Sequence, residues 1–257
     1  MTTNQNPNGR MSLKKKLLIT LGAVVGVVAI VVTSVLGTLA YLTSSAAVSN
    51  VFTIGNVGIT MDEALVDADG KKIEGEGAKR VDTNTYKLMP GKKYDKDPVI
   101  HVNSGSEDSY LFVLVRNDLE SIAWDKPSAE NPAHPSIARQ MRENGWVEYT
   151  TASTGKIFVY VGGKENTLDT LLKNDGANVE LTAGDYPLFK SFSVSPDADV
   201  SLYGAAKITL TAVAIQKDGF SSDAPGTENA KTALDKAWAA VIATYPYIHT
   251  GSGQPQQ

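Results

Sequence analysis

The sequence predicts a mainly β protein, a jelly-roll-like antiparallel β-sandwich with a few short helices and one amphipathic helix near the C-terminus. Two observations predict this fold. Short segments rich in β-branched and aromatic residues recur along the chain, separated by turns that contain Gly or Pro. These segments do not alternate regularly with helical patterns, as the strands of a parallel α/β protein would. A different Greek-key sandwich fits the same pattern.

Eight segments carry the strand pattern. The third, residues 109–116, is apolar on both faces and should lie in the middle of a sheet. Gly55 and Gly58, inside the first segment, are expected at a bulge or at a close approach to another part of the chain. Turns are predicted at residues 67–70 and at the Pro-Gly pair 90–91. The eight segments are residues 51–61, 98–103, 109–116, 146–150, 156–161, 179–181, 186–194 and 207–217.

The most convincing helix covers residues 229–244, with Thr227 as its N-cap and Pro246 ending it. Its apolar residues recur at i, i+3 and i+4 and should pack as one stripe over a sheet or an open end of the sandwich. Shorter helices are predicted elsewhere, and the proline-rich segment 126–135 is predicted to be a loop. The stripe consists of Ala230, Leu234, Ala237, Trp238, Val241, Ile242 and Tyr245; the shorter helices are residues 118–124, 137–144 and 167–172.

Residues 17–40 form an apolar run without charge, directly preceded by three lysines at 14–16. A basic start, an apolar stretch and small residues before a cut between Ala40 and Tyr41 are typical of a secretion signal. At roughly 1.5 Å per residue, the run is also long enough to remain as an uncleaved membrane anchor. In both cases the remainder is expected to be secreted or at the cell surface, and to meet the membrane only through an uncleaved signal.

The chain therefore divides into a signal peptide (1–40), a leading segment (41–50), one β domain (51–250) and a flexible tail (251–257). A cut after residue 40 leaves 20 of the 24 basic residues and all 28 acidic residues, a net charge of −8. This charge disfavours nucleic acid and anionic membranes as partners. The absence of cysteine excludes disulfides, a thiolate nucleophile and cysteine-ligated metals.

The residues that could carry chemistry do not form a recognisable catalytic motif. His101, His134 and His249 are spread over a strand, a loop and the tail, and no H-E-x-x-H pair places two ligands on one helix face. No nucleotide-binding glycine motif and no serine-nucleophile elbow occur either. We therefore predict a protein without enzymatic activity, metal or cofactor.

Three further patterns have an ordinary structural interpretation beside a functional one. Residues 67–70 begin like a calcium loop but lack the closing glutamate, since Ala78 holds that place, so a hairpin turn is expected. The acid pairs 62–63 and 107–108 are expected to be solvated turn residues rather than an acid–base pair. Three tryptophans could line a glycan-binding surface, although Trp238, on the helix stripe, is expected in the core. The residues concerned are Asp62, Glu63, Asp67, Asp69, Gly70, Glu107, Asp108, Trp124, Trp146 and Trp238.

Two blocks of the sequence resemble one known family. The first is Thr38-Leu39-Ala40 followed, after a short spacer, by Phe52-Thr53-Ile54-Gly55-Asn56-Val57. The second is Leu88-Met89-Pro90-Gly91-Lys92 with Lys96-Asp97-Pro98, a strand and Asn103. Together they are similar to the TasA and camelysin (CalY) family, Gram-positive exported proteins that are processed by the signal peptidase SipW. The resemblance covers the signal and about the first third of the remainder.

The resemblance implies a jelly-roll domain, cleavage between Ala40 and Tyr41 by a SipW-type peptidase, and assembly into extracellular biofilm-matrix fibres. In such fibres the released leading segment completes the sheet of the next subunit, which is β-augmentation between identical chains. Mapped onto this chain, the donor-strand residues are Tyr41, Leu42, Ala46 and Val48. The expected partners are other copies of the chain, the peptidase and accessory matrix proteins. A disordered leading tail, a camelysin-like metalloprotease and a monomeric surface adhesin or ligand-binding module remain alternatives.

Overall fold

Strands dominate the part of the chain that the computed structural model describes, which belongs to one compact unit running from Thr43 to Gln257. The described residues are 43–46, 49–126, 130–153, 155–224, 230–246 and 248. The strands are β1 (Thr43–Ala46), β2 (Ser49–Ile54), β3 (Ile59–Ala64), β4 (Arg80–Val81), β5 (Asn84–Lys87), β6 (Lys93–Asp95), β7 (Val99–Val102), β8 (Ser109–Asn117), β9 (Trp146–Ala152), β10 (Gly155–Tyr160), β11 (Gly184–Pro187), β12 (Ser191–Ser193) and β13 (Ile208–Gln216). The α-helices are α1 (Ile137–Glu143), α2 (Leu168–Leu172) and α3 (Ala233–Thr244), with 3-10 helices at Gly75–Gly77, Glu120–Ile122, Lys173–Gly176 and Val200–Tyr203.

The central sheet has the strand order β2-β13-β8-β10-β9. Its neighbours pair antiparallel except at one edge, where β2 runs parallel to β13. The side chains of β8 are buried from Ser109 to Val115, on both faces of the sheet. The prediction that residues 109–116 lie in the middle of a sheet is confirmed.

Three smaller sheets accompany the central one: β11-β7-β3-β4, β1-β5 and β12-β6, all antiparallel. The inward residues of β3 and β7 form one apolar cluster with one face of β8 and β13. This main core includes Ile59, Met61, Ile100, Val102, Leu111, Val113, Leu210 and Ala212. The protein is therefore mainly β, with largely antiparallel sheets and a few helices, as predicted. The parallel pairing of β2 with β13 departs from the predicted antiparallel sandwich.

The helix α3 covers the opposite face of the central sheet. Leu234, Ala237, Trp238 and Val241 are buried there in a second core that also contains the outward face of β8 and β13. The predicted apolar stripe thus packs on a sheet from Leu234 onward, whereas Ala230 lies before the helix and is exposed. The helix ends at Thr244, before Pro246.

The start of this helix differs from the prediction. Thr227 lies outside the described residues, and the helix begins at Ala233 with Thr232 as its N-cap. The Thr232 hydroxyl accepts the backbone N–H of Asp235, and the Asp235 carboxylate accepts the N–H of Thr232. This reciprocal capping box satisfies two free backbone donors and fixes the first turn.

Three predicted strands are corrected. The segment 51–61 is two strands in different sheets, because the chain turns at Gly55, whose φ is +90°. The segment 186–194 is also two strands, β11 and β12, which belong to different sheets. Residues 179–181 are not a strand: Val179 and Leu181 are buried, but they reach the cores from a loop.

The remaining elements lie close to their predicted positions. The segment 118–124 forms only the short 3-10 helix Glu120–Ile122, whereas α1 and α2 match their predictions within two residues at each end. Both predicted turns are present, with Gly70 and Gly91 at φ of +69°. A Cβ on Gly58 would lie 2.7 Å from Asn103 Nδ2, so the predicted close approach is confirmed.

Candidate functional site

The leading segment is paired within its own chain. β1 runs antiparallel to β5, with Thr43 opposite Lys87 and Ala46 opposite Asn84. Of the four predicted donor-strand residues only Ala46 is described; Tyr41, Leu42 and Val48 lie outside the described residues, as does Ala40 on the other side of the predicted cut. The described part of the segment is thus a strand that closes onto its own domain, not a free donor.

The strand β2 continues this pairing at the edge of the central sheet. It lies parallel to β13, in a register that places Val51 beside Ala212 and Phe52 beside Val213. Because β2 is the terminal strand of this sheet, it shields the edge of β13. An unshielded strand edge offers backbone N–H and C=O groups to any other strand.

The side chains of β2 are only partly buried. Phe52 and Ile54 face the second core, where the Phe52 ring lies 4.8 Å from the Tyr245 ring, centroid to centroid. The Tyr245 hydroxyl donates a hydrogen bond to the Thr53 carbonyl at 3.2 Å. On the other face Val51 remains 37% exposed. The strand is therefore held more weakly than β8 or β13, whose inward residues are fully enclosed.

Together β1 and β2 cover two edges of the domain. Within the described residues, β5 has β1 as its only ladder partner, and β13 has β2 on the side away from β8. Release of residues 43–54 would expose both edges at once. The Gln216 side chain packs against Gly55 and accepts the N–H of Asn56 at 3.3 Å, which ties the turn that follows β2 to the end of β13.

A row of charges crosses the four-stranded sheet. His101 on β7 bonds Asp185 on β11 through Nδ1 (2.7 Å) and Asp62 on β3 through Nε2 (2.9 Å), and Asp62 also pairs with Arg80 on β4. Partial burial alone would lower the pKa of His101, but the hydrogen bonds that its ring donates to the two carboxylates outweigh burial and raise the pKa. For Asp62, burial is outweighed by the bonds from His101 and Arg80, which lower the pKa. The row ties all four strands together.

The neighbouring acid, Glu63, is buried. Its side chain is 1% exposed and pairs with Lys96, which is 0% exposed. The prediction that residues 62–63 are solvated turn acids is wrong, because both lie on β3 and alternate between its two faces. Glu63 occupies the inward face that Ile59 and Met61 share.

The other acid motifs are structural. The Asp67 carboxylate accepts the backbone N–H groups of Asp69 and Lys71 at 2.9 Å each, which closes the predicted hairpin turn. Asp108 pairs with Lys217 at 2.9 Å and accepts the N–H of Leu181, while Glu107 is exposed. Asp108 is thus a tie between two segments and not a free turn residue.

The tryptophans divide into core and surface. Trp146 is fully buried and donates its Nε1–H to the Pro187 carbonyl at 3.0 Å, and Trp238 is 7% exposed, as predicted for the core. Trp124 is half-buried and stacks on His134, with ring centroids 3.7 Å apart. This pair lines a cavity of about 110 Å³.

Asp125, next to this cavity, organises the loop that enters α1. Its carboxylate is 2% exposed and accepts the backbone N–H of Asn131 (2.5 Å), the N–H of Ser136 (2.8 Å) and the Nε–H of Arg139 (3.0 Å). Burial alone would raise the pKa of Asp125, but these bonds outweigh it and lower the pKa to about 2.

The histidines make separate contacts: His101 with two carboxylates, His134 with Trp124 and the Ser193 hydroxyl at 3.2 Å. His249 lies outside the described residues. Within the described ranges, no three histidine or acidic side chains are grouped so that they could hold a metal ion. In that same part of the chain no helix has the length and apolar character needed to cross a membrane, and residues 17–40 fall outside it.

Comparison of the chain with models of known protein families, with curated proteins and with solved structures finds no match in any of the three.

Sequence reasoning missed the buried Glu63–Lys96 pair. Strand alternation could have found it, because Glu63 is two and four residues from Met61 and Ile59, which are buried on the same face. On the other side, Lys96 is two residues after the buried Tyr94.

Proposed function

We propose that this chain is an exported, non-enzymatic structural subunit that polymerises head to tail by exchanging its leading strands with a neighbouring copy. The observation that carries the proposal is that β1 and β2 cover two strand edges of their own domain. The likeness of residues 38–57 and 88–103 to the TasA and camelysin family supports it, together with the secretion-signal pattern of residues 14–41. On the same likeness, the proposal includes a jelly-roll topology and a location in the extracellular matrix.

Exchange needs no new interface. When residues 43–54 leave their own β5 and β13, both edges can accept the same segment from a second chain, in the same register. The backbone bonds that are broken within one chain, each worth about 0.5–1.5 kcal/mol net, are formed again between two chains. Because each subunit then donates at one end and accepts at another, the contact does not close and a filament grows.

The signal would control this exchange. While residues 1–40 remain attached and in the membrane, the leading strands cannot travel to a neighbour. Cleavage between Ala40 and Tyr41 by a SipW-type peptidase frees them. The partly buried side chains of β2 suit such a role, because a strand that must leave its sheet cannot be bound as firmly as the interior ones.

A reversible covalent lock tests the exchange. Ser45 and Thr85 are opposite each other in the β1–β5 ladder, Thr85 is exposed, and the chain has no cysteine of its own. Opposed residues of an antiparallel pair have the Cα separation that a disulfide requires. We expect the S45C/T85C variant, starting at Tyr41, to stay monomeric when oxidised and to form filaments in electron micrographs after reduction.

A matched control places the lock elsewhere. Thr151 and Lys156 are opposite each other in the β9–β10 ladder, away from the leading strands, and an oxidised T151C/K156C variant should still polymerise. A chain that lacks residues 41–50 should not.

Mixing the single variants S45C and T85C identifies the partners. Each chain then carries one thiol, so a bond between the two positions forms only between chains. Filaments from the oxidised S45C/T85C variant, or filaments without the mixed disulfide, would contradict the proposal.

A further inference from the structure

Glu63 and Lys96 face each other inside the protein, away from water. The Glu63 side chain is 1% exposed and the Lys96 side chain 0%, and Lys96 Nζ donates to Glu63 Oε2. Glu63 points inward from β3, and Lys96 follows β6 in the segment that leads to β7. Tyr86 and Tyr94, both almost fully buried, belong to the core beside them.

The salt bridge between Glu63 and Lys96 leaves one buried oxygen without a hydrogen-bond partner. Glu63 Oε1 is buried and has no hydrogen-bond partner. A buried carboxylate with a free oxygen is costly, because the attraction of the ion pair must offset the loss of hydration of both charges. The ion pair therefore leaves part of the cost of burying Glu63 uncompensated.

Burial makes the uncharged amine of Lys96 accessible. It lowers the pKa of Lys96, and the neighbouring Glu63 only partly opposes this effect. Transfer of the shared proton from Nζ to the carboxylate gives a neutral amine beside a carboxylic acid. These are the two forms that condense to an amide.

We propose that Glu63 and Lys96 become joined by an intramolecular isopeptide bond once the domain has folded. The lone pair of Lys96 Nζ attacks Glu63 Cδ, so that an N–C bond forms. The bond from Cδ to the hydroxyl oxygen breaks, and the hydroxyl leaves with one proton from Nζ as a water molecule. The product is a neutral secondary amide, and no oxidant, reductant or further reactant takes part.

The fold supplies what this condensation needs. Two groups held in contact react with a high effective concentration, since the entropy of bringing them together is already lost on folding. A dry site also limits attack by water on the amide. The bond would connect positions 33 residues apart and close a ring that contains β4, β5 and β6. It would therefore fasten β5, the strand on which β1 lies.

Mass spectrometry of the folded full chain tests the bond. We expect the intact chain to be lighter than its sequence by one water molecule. Trypsin should not cut after an acylated Lys96, so the peptide 94–116 should stay whole and be joined to the peptide that ends at Lys71. An unchanged mass with Glu63 and Lys96 in separate peptides, or a lost water that maps to another site, would overturn the proposal.

Two lysine variants separate this bond from ordinary ion pairing. K96M keeps the length and apolar stem of the side chain but has no amine, so its mass should equal that of its sequence. K72M removes the lysine that lies 3.2 Å from Asp97 on the surface, and it should keep the mass deficit. If K96M does not fold, the peptide map of the chain without substitutions still decides whether the bond is present. Chain held in denaturant from synthesis should show no deficit, because the pair forms only on folding.

Discussion

Asp125 should make a pH-dependent contribution to the stability of this protein. Its pKa is about 2 in the folded chain against an ordinary value of 3.8, because Arg139 and two backbone N–H groups bind the charged form. Each pKa unit corresponds to about 1.4 kcal/mol, so the charged carboxylate adds about 2 kcal/mol to the free energy of unfolding at neutral pH. A lowered pKa gives stability that is present above the unfolded value and is lost as the pH falls through the folded value.

The substitution D125N tests this value. The amide cannot accept all the bonds of the carboxylate, and its NH₂ group faces donors, so we expect the variant to lose about 2 kcal/mol or more at pH 7. Urea unfolding followed by tryptophan fluorescence measures the loss. The difference between D125N and the original chain should shrink as the pH falls from about 4 to about 2, where the original carboxylate takes up a proton.

A solvent-exposed acid provides the control. The Glu165 side chain is 87% exposed, and E165Q should change the free energy of unfolding by less than about 0.5 kcal/mol at either pH. If D125N loses as little as E165Q at pH 7, or if its loss is the same at pH 7 and pH 2.5, the assigned role of the carboxylate is wrong.

Three further substitutions test other parts of the fold. H101Q should lose stability below pH 6.5, where the histidine is charged in both the folded and the unfolded chain. The loss should diminish as the pH rises through the raised pKa of the folded chain, and thermal unfolding at several pH values measures it. G55A should destabilise more than G105A, since both glycines have a positive φ but a Cβ has free space only at Gly105; equal melting temperatures would contradict this. W238A should lower the free energy of unfolding in urea by about 3 kcal/mol or more, because Trp238 fills the second core. L202A, at an 80% exposed position, should lower it by less than about 0.5 kcal/mol. Similar losses in the two variants would refute the burial argument.

Strands with a strong local pattern could be predicted from the sequence. The segment 109–116 has apolar residues on both faces of the strand, and only the interior of a sheet buries both faces of a strand. The helix α3 was predictable because its stripe repeats at helical spacing. In both cases the signal is contained in consecutive residues and needs no knowledge of the partners.

Features that depend on distant partners were not predictable. Residues 179–181 look like a strand because Val179 and Leu181 are buried, yet their backbone finds other partners: Val179 donates to Gly176, and Leu181 to Asp108. Burial and strand pairing are different requirements, and an apolar pattern reports only the first. The cap of α3 was misplaced for a similar reason, since both threonines have the correct residue type but Thr232 has Asp235 three residues later.

The candidate site shows the same division. Sequence reasoning predicted a donor strand before residue 51, but it could not show that β2 would lie parallel to β13, the last strand in the described part of the chain. That pairing depends on residues separated by most of the domain. Nor could it distinguish Asp62 from Glu63, whose environments differ only because one faces outward to His101 and the other inward to Lys96.

The position of the leading strands β1 and β2 has two consequences. In a single chain, β1 and β2 shield the edges of β5 and β13, and shielded edges do not pair indiscriminately with other sheets. The same edges are complementary to this one segment, so the segment of an identical chain fits them equally well. Under the proposed strand exchange, a domain closed in this way would be protected from random aggregation and could still form an ordered polymer once its leading strands move. The weak burial of β2, with Val51 exposed and Phe52 packed on the Tyr245 ring, is what the proposed exchange requires of a strand that must open more easily than the interior ones.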